Sequence, residues 1–316
     1  MPGATHCQIE RLMNESLPSS MDFGRNAPVR TDDAPTASVR LQIDCGLAYQ
    51  LEGDCEFVFL IHVALDRGQS LVEETVHIEP PLPYRSYTDE HSGNRFMRLS
   101  AGAGALSVNY HAVIDRLIDP VDLSAQEVAV RDMPDDVLRF VLPTRYCESD
   151  LLGQVAQQMF GALPGGHARV RAICDWVHDH VSYRIGSSNA TTTARDVFLQ
   201  RTGVCRDYAH LAVTFCRALN IPARLVSAYA HFAEPPPDFH AIFEAYLGGR
   251  WVLFDPSGMA PVHEVARLAT GRDAKDVAFA TIFGQARMVS IKPELVVLPP
   301  PAVHVGAVPH ADALPG

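Results

Sequence analysis

The chain has 316 residues, of which 47% are hydrophobic and 20% charged, a composition typical of a globular protein with room for about two domains. Its net charge of -11 at neutral pH argues against nucleic acid as a main partner, because phosphate contacts need a basic face. The seven cysteines are odd in number and form no CxxC pair, which argues against a disulfide scaffold and indicates free thiols.

The first 36 residues are polar and rich in turn-forming residues, and we interpret 1–36 as a flexible leader. They contain no continuous apolar stretch and no cleavage-site pattern, so they do not resemble a signal peptide. The longest apolar run, Phe57 to Ile61, is far too short to span a bilayer. We therefore expect a cytoplasmic protein with no membrane partner.

Short β-prone runs follow from Ser38 onward and are separated by Gly, Pro and Asp. They are SVRLQID, CEFVFLIHVAL, LVEETVHIE, NRFMRLS and ALSVNYHAVID. In the last of them alternate positions are apolar, which is typical of a half-buried strand. These runs, with no helix between them, predict a β-sandwich-like N-terminal domain that, with its proline-containing connector, spans 37–149.

Helical periodicity begins near Asp150. In HARVRAICDWVHDHV the apolar residues fall on one helical face: Val170, Ile173, Cys174, Val177 and Val181. Thr193, with Asp196 three residues later, predicts an acidic variant of the capping box at the start of another helix. A third helix starts at Cys205, and Pro222 stops it.

Three predicted strands follow this helix: ARLVSAYA, DFHAIFEAYL and WVLFDPS. Gly248 and Gly249 separate the last two and predict a two-residue hairpin turn. These helices and strands define a second region, which we place at 150–290. The remaining residues, 291–316, are rich in proline, and we expect them to form an extended or disordered tail.

The cysteine at the start of the third helix is a candidate nucleophile. A helix start carries unpaired N–H groups and a partial positive charge, which together stabilise a thiolate. The same N–H groups can donate to an oxyanion, and Gly203 allows a close approach of backbone to substrate. A buried structural cysteine is the alternative interpretation of Cys205, so the assignment depends on a base nearby.

The predicted hairpin supplies that base. If Gly248 and Gly249 form a two-residue turn, His240 and Asp255 lie on the same face of the sheet as diagonal neighbours. Such neighbours are about 7–8 Å apart at Cα, which an imidazole and a carboxylate can bridge. Cys205, His240 and Asp255 would then act as nucleophile, base and orienting carboxylate.

The stretches GVCRDYAHLAVTFCRALNIPARLVSAY and FHAIFEAYLGGRWVLFDPS closely resemble the bacterial transglutaminase-like superfamily, whose members are often described as cysteine proteases. The resemblance covers about 150–261, and Cys205, His240 and Asp255 fall on the family triad. The strand-rich region from Ser38 to about Asp119 is similar to the β domain that often precedes this core.

This resemblance implies a papain-like α+β core and Cys–His–Asp chemistry on an amide or acyl bond, with a peptide or protein as substrate. It implies no metal and no organic cofactor. Hydrolysis would make the protein a peptidase or amidase, whereas transfer to an amine would make it a transglutaminase. We favour hydrolysis because it needs no second substrate site. A non-catalytic binding module on the same fold is the further alternative, and the β domain could recruit a partner for the core.

Other polar residues near these motifs are interpreted as structural. Asp207 suits the first turn of a helix because of the helix dipole, and His210 is expected to be packed or on the surface. Tyr183 and Trp176 are expected to be core residues, so no side-chain oxyanion donor is assigned. Cys174, His178 and His180 lie close together on one helix, but without a second ligand pair we do not assign a metal site.

Overall fold

The structure is a computed structural model that describes residues 37–66, 68–118, 120–232 and 238–299. The predicted leader, 1–36, lies outside the described residues, and so does the end of the predicted tail, 300–316. Among the described residues, no helix has the length and apolar character that crossing a membrane requires.

The described part of the chain contains fourteen strands and five α-helices, with a short 3-10 helix at Val130–Asp132. The first six strands are β1 (Ser38–Leu51), β2 (Cys55–Phe59), β3 (Gln69–Glu79), β4 (Tyr84–Thr88), β5 (Arg95–Ala101) and β6 (Gly104–Leu117). Then follow α1 (Asp135–Leu138), α2 (Gly153–Phe160), α3 (His167–His180), β7 (Ser182–Tyr183), α4 (Ala194–Gln200), β8 (Thr202–Gly203) and α5 (Cys205–Ala218). The last strands are β9 (Ala223–Tyr229), β10 (His240–Leu247), β11 (Arg250–Phe254), β12 (Ala266–Gly271), β13 (Ala280–Phe283) and β14 (Ala286–Leu298).

The N-terminal part is a sandwich of two four-stranded sheets, ordered β14-β1-β6-β3 and β13-β2-β5-β4. Alternate residues of β1 point into the core between the sheets, and the ring of Tyr49 lies 5.2 Å from that of Phe57 on the opposite sheet. The predicted sheet-rich N-terminal domain is therefore confirmed. β4 was not predicted, because all five of its residues are exposed and it has no buried alternate face.

Residues 280–298 contribute two strands to the sandwich, whereas the prediction divided them between a core ending at 290 and a tail. β13 pairs with β2, and β14 pairs with β1 along its whole length, from Leu298 opposite Arg40 to Ala286 opposite Leu51. The predicted tail therefore begins inside a strand of the sandwich. β14 tolerates Pro293 because it is an edge strand, where a missing N–H leaves no ladder bond unmade on the open side.

The C-terminal part is built on the antiparallel sheet β11-β10-β9-β12, with α5 packed across β10 and β9. The helix starts at Cys205, as predicted. Phe243, Ala245 and Leu247 of β10 share a hydrophobic core with α5, so these alternate residues of the strand face the helix. Helices on one face of an antiparallel sheet confirm the predicted α+β class.

The β10–β11 hairpin has the predicted register. Leu247 pairs with Arg250, and Glu244 pairs with Leu253. Gly248 and Gly249 form the two-residue turn with φ of 57° and 81°, a left-handed conformation that glycine adopts without strain. Because the turn has two residues, the even-numbered residues of β10 share a face with the odd-numbered residues of β11 that pair with them.

A buried carboxylate links the sandwich to the core. Glu244 is 1% exposed, accepting from Arg224 Nε at 2.6 Å and from Arg267 Nη1 at 3.0 Å. Arg267 also donates to Asp66 of the sandwich at 2.8 Å. The network thus crosses from β10 to the N-terminal domain.

Replacing Glu244 by Gln is expected to lower the free energy of unfolding by about 3 kcal/mol, because two partly buried guanidinium groups lose the charge of a buried carboxylate. Urea unfolding followed by circular dichroism measures the change. Asp175→Asn is the matched control, since the Arg171–Asp175 pair is exposed on α3 and should contribute about 0.5 kcal/mol or less. Equal losses in the two variants would contradict the role given to Glu244.

Candidate active site

The backbone before α5 is arranged so that Cys205 is the first helical residue. Val204 is extended, with φ of -114° and ψ of 179°, and its N–H donates to Asp207 Oδ2 at 2.9 Å. At Gly203 an added Cβ would lie 2.7 Å from Asp207 Cβ, so glycine is needed for this close approach. The N–H of Cys205 belongs to the first helical turn, whose N–H groups have no partner inside the helix.

Cys205 differs from the other described cysteines in its access to solvent. It is partly exposed, whereas the other five are buried. Burial raises the pKa of Cys147 to about 11 and that of Cys45 to about 12, so both remain neutral thiols at physiological pH. Cys205 is therefore the described thiol best placed to react.

His240 and Asp255 meet as the hairpin register predicted. His240 Nε2 lies 2.9 Å from Asp255 Oδ2, and both side chains are at least 96% buried. His240 Nδ1 is buried and has no hydrogen-bond partner in the part of the chain that the structure describes. Because Nε2 is engaged by Asp255, Nδ1 is the ring nitrogen left for the thiol of Cys205.

The surroundings of His240 favour its protonated form. Burial alone would lower the pKa of the ring, but the hydrogen bond to Asp255 and the interaction with the Cys205 side chain outweigh burial and raise the pKa to about 9. The imidazole therefore holds its proton at neutral pH. A protonated ring carries an N–H at Nδ1, which suits a neighbouring thiolate.

Asp255 is fixed as an ionised carboxylate. Burial works against its charge, but the hydrogen bond and charge of His240 prevail, so the pKa of Asp255 lies below its ordinary value. Its Oδ1 accepts from the N–H of Ser257 at 2.8 Å and from the Ser257 hydroxyl at 2.6 Å. The N–H of Ala260 donates to Oδ2 at 3.2 Å. These donors hold the carboxylate in the orientation that His240 needs.

Tyr183, which the sequence analysis interpreted as a core residue, lies at the site and is 37% exposed. Burial and the adjacent Cys205 side chain raise the pKa of its phenol, so the hydroxyl keeps its proton. Its position comes from the parallel pairing of β7 with β8, which puts Tyr183 opposite Gly203. Two-residue strands have no periodicity, so the sequence carried no signal for this pairing. Trp176 is partly buried and packs against the core, with its ring stacked 5.9 Å from that of Phe198.

The remaining candidates have structural surroundings. His210 is 1% exposed and its Nε2 accepts the N–H of Ala274 at 3.1 Å, while burial lowers the pKa of the ring to about 3. It is thus a packed neutral histidine. The Nδ1 atoms of His178 and His180 bond backbone carbonyls, at 3.1 and 2.8 Å. Within the described ranges no group of three or more potential ligands could hold a metal ion.

Two family models match successive segments of the chain. Residues 39–136 match the bacterial transglutaminase N-terminal domain, and residues 153–256 match the transglutaminase-like superfamily. The first segment lies in the sandwich, and the second holds Cys205, His240 and Asp255.

Solved and curated proteins resemble the chain to different extents. The crystal structure of a "putative cysteine protease" from Cytophaga hutchinsonii is 37% identical with a TM-score of 0.80, covering 84% of this chain and 92% of that one. An uncharacterised protein of Mycobacterium leprae is 30% identical over 48% of this chain, and the match spans 56% of that protein. One from Mycobacterium tuberculosis is 37% identical over 22% of this chain and 21% of its own length.

The likeness to the Cytophaga protein extends over nearly all of that protein, at an identity well above the level that shows fold alone. The match to the two curated relatives spans only about half and about a fifth of their lengths. With both family models matched in order along the sequence, the chain belongs to the transglutaminase-like superfamily.

Proposed function

We propose that this protein is a cysteine-dependent enzyme that acts on peptide or amide bonds. Cys205 is the nucleophile, His240 is the general acid and base, and Asp255 holds the ring and its charge. The observation that carries this proposal is the buried His240–Asp255 pair at 2.9 Å beside a partly exposed cysteine at a helix start.

In the first step the thiolate of Cys205 attacks the carbonyl carbon, a C–S bond forms, and the carbonyl oxygen takes the negative charge. The N–H of Cys205 and the hydroxyl of Tyr183 both lie beside the sulfur and would donate to this oxyanion. His240 gives its proton to the leaving amine as the C–N bond breaks. The product of this step is a thioester between the acyl group and Cys205.

In the second step His240 takes a proton from water, which attacks the thioester and releases the acid with the thiol restored. An amine in place of water would give transfer and make the protein a transglutaminase. We favour hydrolysis because the reaction then needs only one substrate site. A non-catalytic binding module would have no need of a buried imidazolium beside a reactive thiol.

Labelling with iodoacetamide tests the nucleophile. At pH 6.5 we expect Cys205 to be alkylated at least about 10-fold faster than any of the other six cysteines, because an imidazolium stabilises the reactive thiolate. His240→Ala should remove most of this selectivity. Peptide mass spectrometry of briefly labelled protein measures both rates. Equal labelling of all seven thiols would favour the binding module.

Incubation with a peptide library identifies the reaction class. New peptide termini indicate hydrolysis, cross-links with release of ammonia indicate transfer, and deamidation alone indicates an amidase. The same enzyme blocked beforehand with iodoacetamide is the control. If no product depends on the free thiol, the enzymatic proposal is wrong for these substrates and the binding module takes its place.

A further inference from the structure

The guanidinium of Arg206, the residue after Cys205, joins the start of α5 to the loop 184–193. Its Nη2 donates to Ser188 Oγ and to the carbonyl oxygen of Asn189, both at 3.1 Å. Nη2 and Nε also donate to Asp207 Oδ1, at 3.1 and 3.3 Å. One side chain thus uses three acceptors on two separate segments of the chain.

Asp207 is the buried end of this arrangement. It is 1% exposed, and its two oxygens have different partners: Oδ1 accepts from Arg206, and Oδ2 accepts the N–H of Val204 at 2.9 Å. The contact with Val204 fixes the Gly203–Val204 peptide, one peptide unit before the one that carries the N–H of Cys205. A buried carboxylate of this kind needs its counter-charge, so its geometry depends on Arg206.

The loop that Arg206 holds begins directly after Tyr183. At its start the N–H of Arg184 donates to the carbonyl of Gly203 at 2.9 Å. Near its end Asn189 forms a turn in which Oδ1 accepts the N–H of Thr191 at 2.8 Å. Arg206 therefore connects the segment after Tyr183 to the segment that carries Cys205.

We propose that Arg206 and Asp207 are positioning residues that set the distance between the two oxyanion donors, the N–H of Cys205 and the hydroxyl of Tyr183. This inference rests on the proposed function. Asp207 acts through the backbone at Val204, and Arg206 acts through the loop after Tyr183. Oxyanion donors stabilise a transition state only when their separation is fixed, and a displacement of about 1 Å can cost on the order of 100-fold in rate.

Two reactions of the Cys205 sulfur distinguish an effect on the position of the oxyanion donors from an effect on the reactivity of the thiol. Acylation by p-nitrophenyl acetate passes through an oxyanion, whereas alkylation by iodoacetamide does not. In Arg206→Met and Asp207→Asn we expect the acylation rate to fall at least about 10-fold, with alkylation of Cys205 changed less than about 3-fold. Arg206→Lys should keep part of the acylation rate, because an ammonium can still reach one or two of the acceptors. Arg171→Met, which breaks an exposed ion pair on α3, is the matched control.

If Arg206 and Asp207 had a merely structural role, their replacement would slow acylation and alkylation together, or would lower the melting temperature while the ratio of the two rates stayed the same. Either result would overturn the inference. Amide hydrogen exchange provides a readout that does not need turnover. Arg206→Met should speed exchange in 184–193 and at the start of α5, and unchanged exchange would also overturn the inference. If the wild-type enzyme is alkylated selectively but not acylated by any ester, the proposed function fails, and exchange alone decides whether the pair fixes these segments.

Discussion

Cys205→Ala is expected to abolish acyl-enzyme formation and to lower turnover of any substrate by about 10⁵–10⁶-fold. The loss is this large because no other described thiol can replace the sulfur. The other five are buried, and burial raises the pKa of Cys45 and Cys147 so that both stay neutral. Intact-protein mass spectrometry during turnover should show the acyl adduct on the wild type and none on the variant.

Cys216→Ala is the matched control for this experiment. Cys216 lies on the same helix, is fully buried, and burial raises the pKa of its thiol. Its removal should leave turnover unchanged and lower only the free energy of unfolding, because a small cavity forms. Turnover that survives in Cys205→Ala, or that disappears in Cys216→Ala with the fold intact, would contradict the assignment of the nucleophile.

Short-range rules were sufficient to place Cys205 at a helix start and to place His240 beside Asp255, whereas the meeting of the cysteine with this pair was expected from the family resemblance. A glycine and a helix start place the cysteine, and a two-residue turn fixes which face of the hairpin the other two occupy. The observed contact of 2.9 Å between His240 and Asp255 agrees with that register. Local rules of this kind depend on a few neighbouring residues and not on the rest of the fold.

Tyr183 and β14 were missed because long-range pairing places them. The residues of β7 become a strand only when β8 lies beside them, and two residues have no detectable period. Likewise, residues 291–298 look like the start of a proline-rich tail until β1 provides a partner on one side. The unpredicted part of the site is therefore the part that depends on contacts between distant segments.

Asp255→Asn is expected to lower turnover by roughly 10³-fold while leaving the fold intact. Both oxygens of Asp255 accept hydrogen bonds, one from His240 and the other from Ser257. An amide has a single acceptor oxygen, so its NH₂ group must face one of these donors. If it faces His240, it disfavours the N–H at Nε2 and with it the imidazolium.

The pH dependence of turnover provides a second test of Asp255→Asn, because the direction of its change is fixed by the role of the carboxylate. In the wild type the pKa of His240 is raised to about 9, so the imidazolium persists through neutral pH and is lost only as the pH approaches 9. Without the carboxylate, the ring loses the largest contribution that raises its pKa, so the alkaline limb of the pH–rate profile should move to lower pH in Asp255→Asn. An alkaline limb at the same pH in both proteins would show that Asp255 does not hold the proton on His240.

The same shift predicts how stability depends on pH. A group whose pKa is higher in the folded state stabilises that state fully below its unfolded value, here about 6.5, and the stabilisation is lost as the pH rises through about 9. The wild type should therefore lose part of its advantage over Asp255→Asn between pH 6.5 and 9. Urea unfolding of both proteins at several pH values measures this difference. A gap that stays constant over that range would mean that His240 is not protonated in the folded enzyme, and proton transfer to the leaving amine would then need another donor.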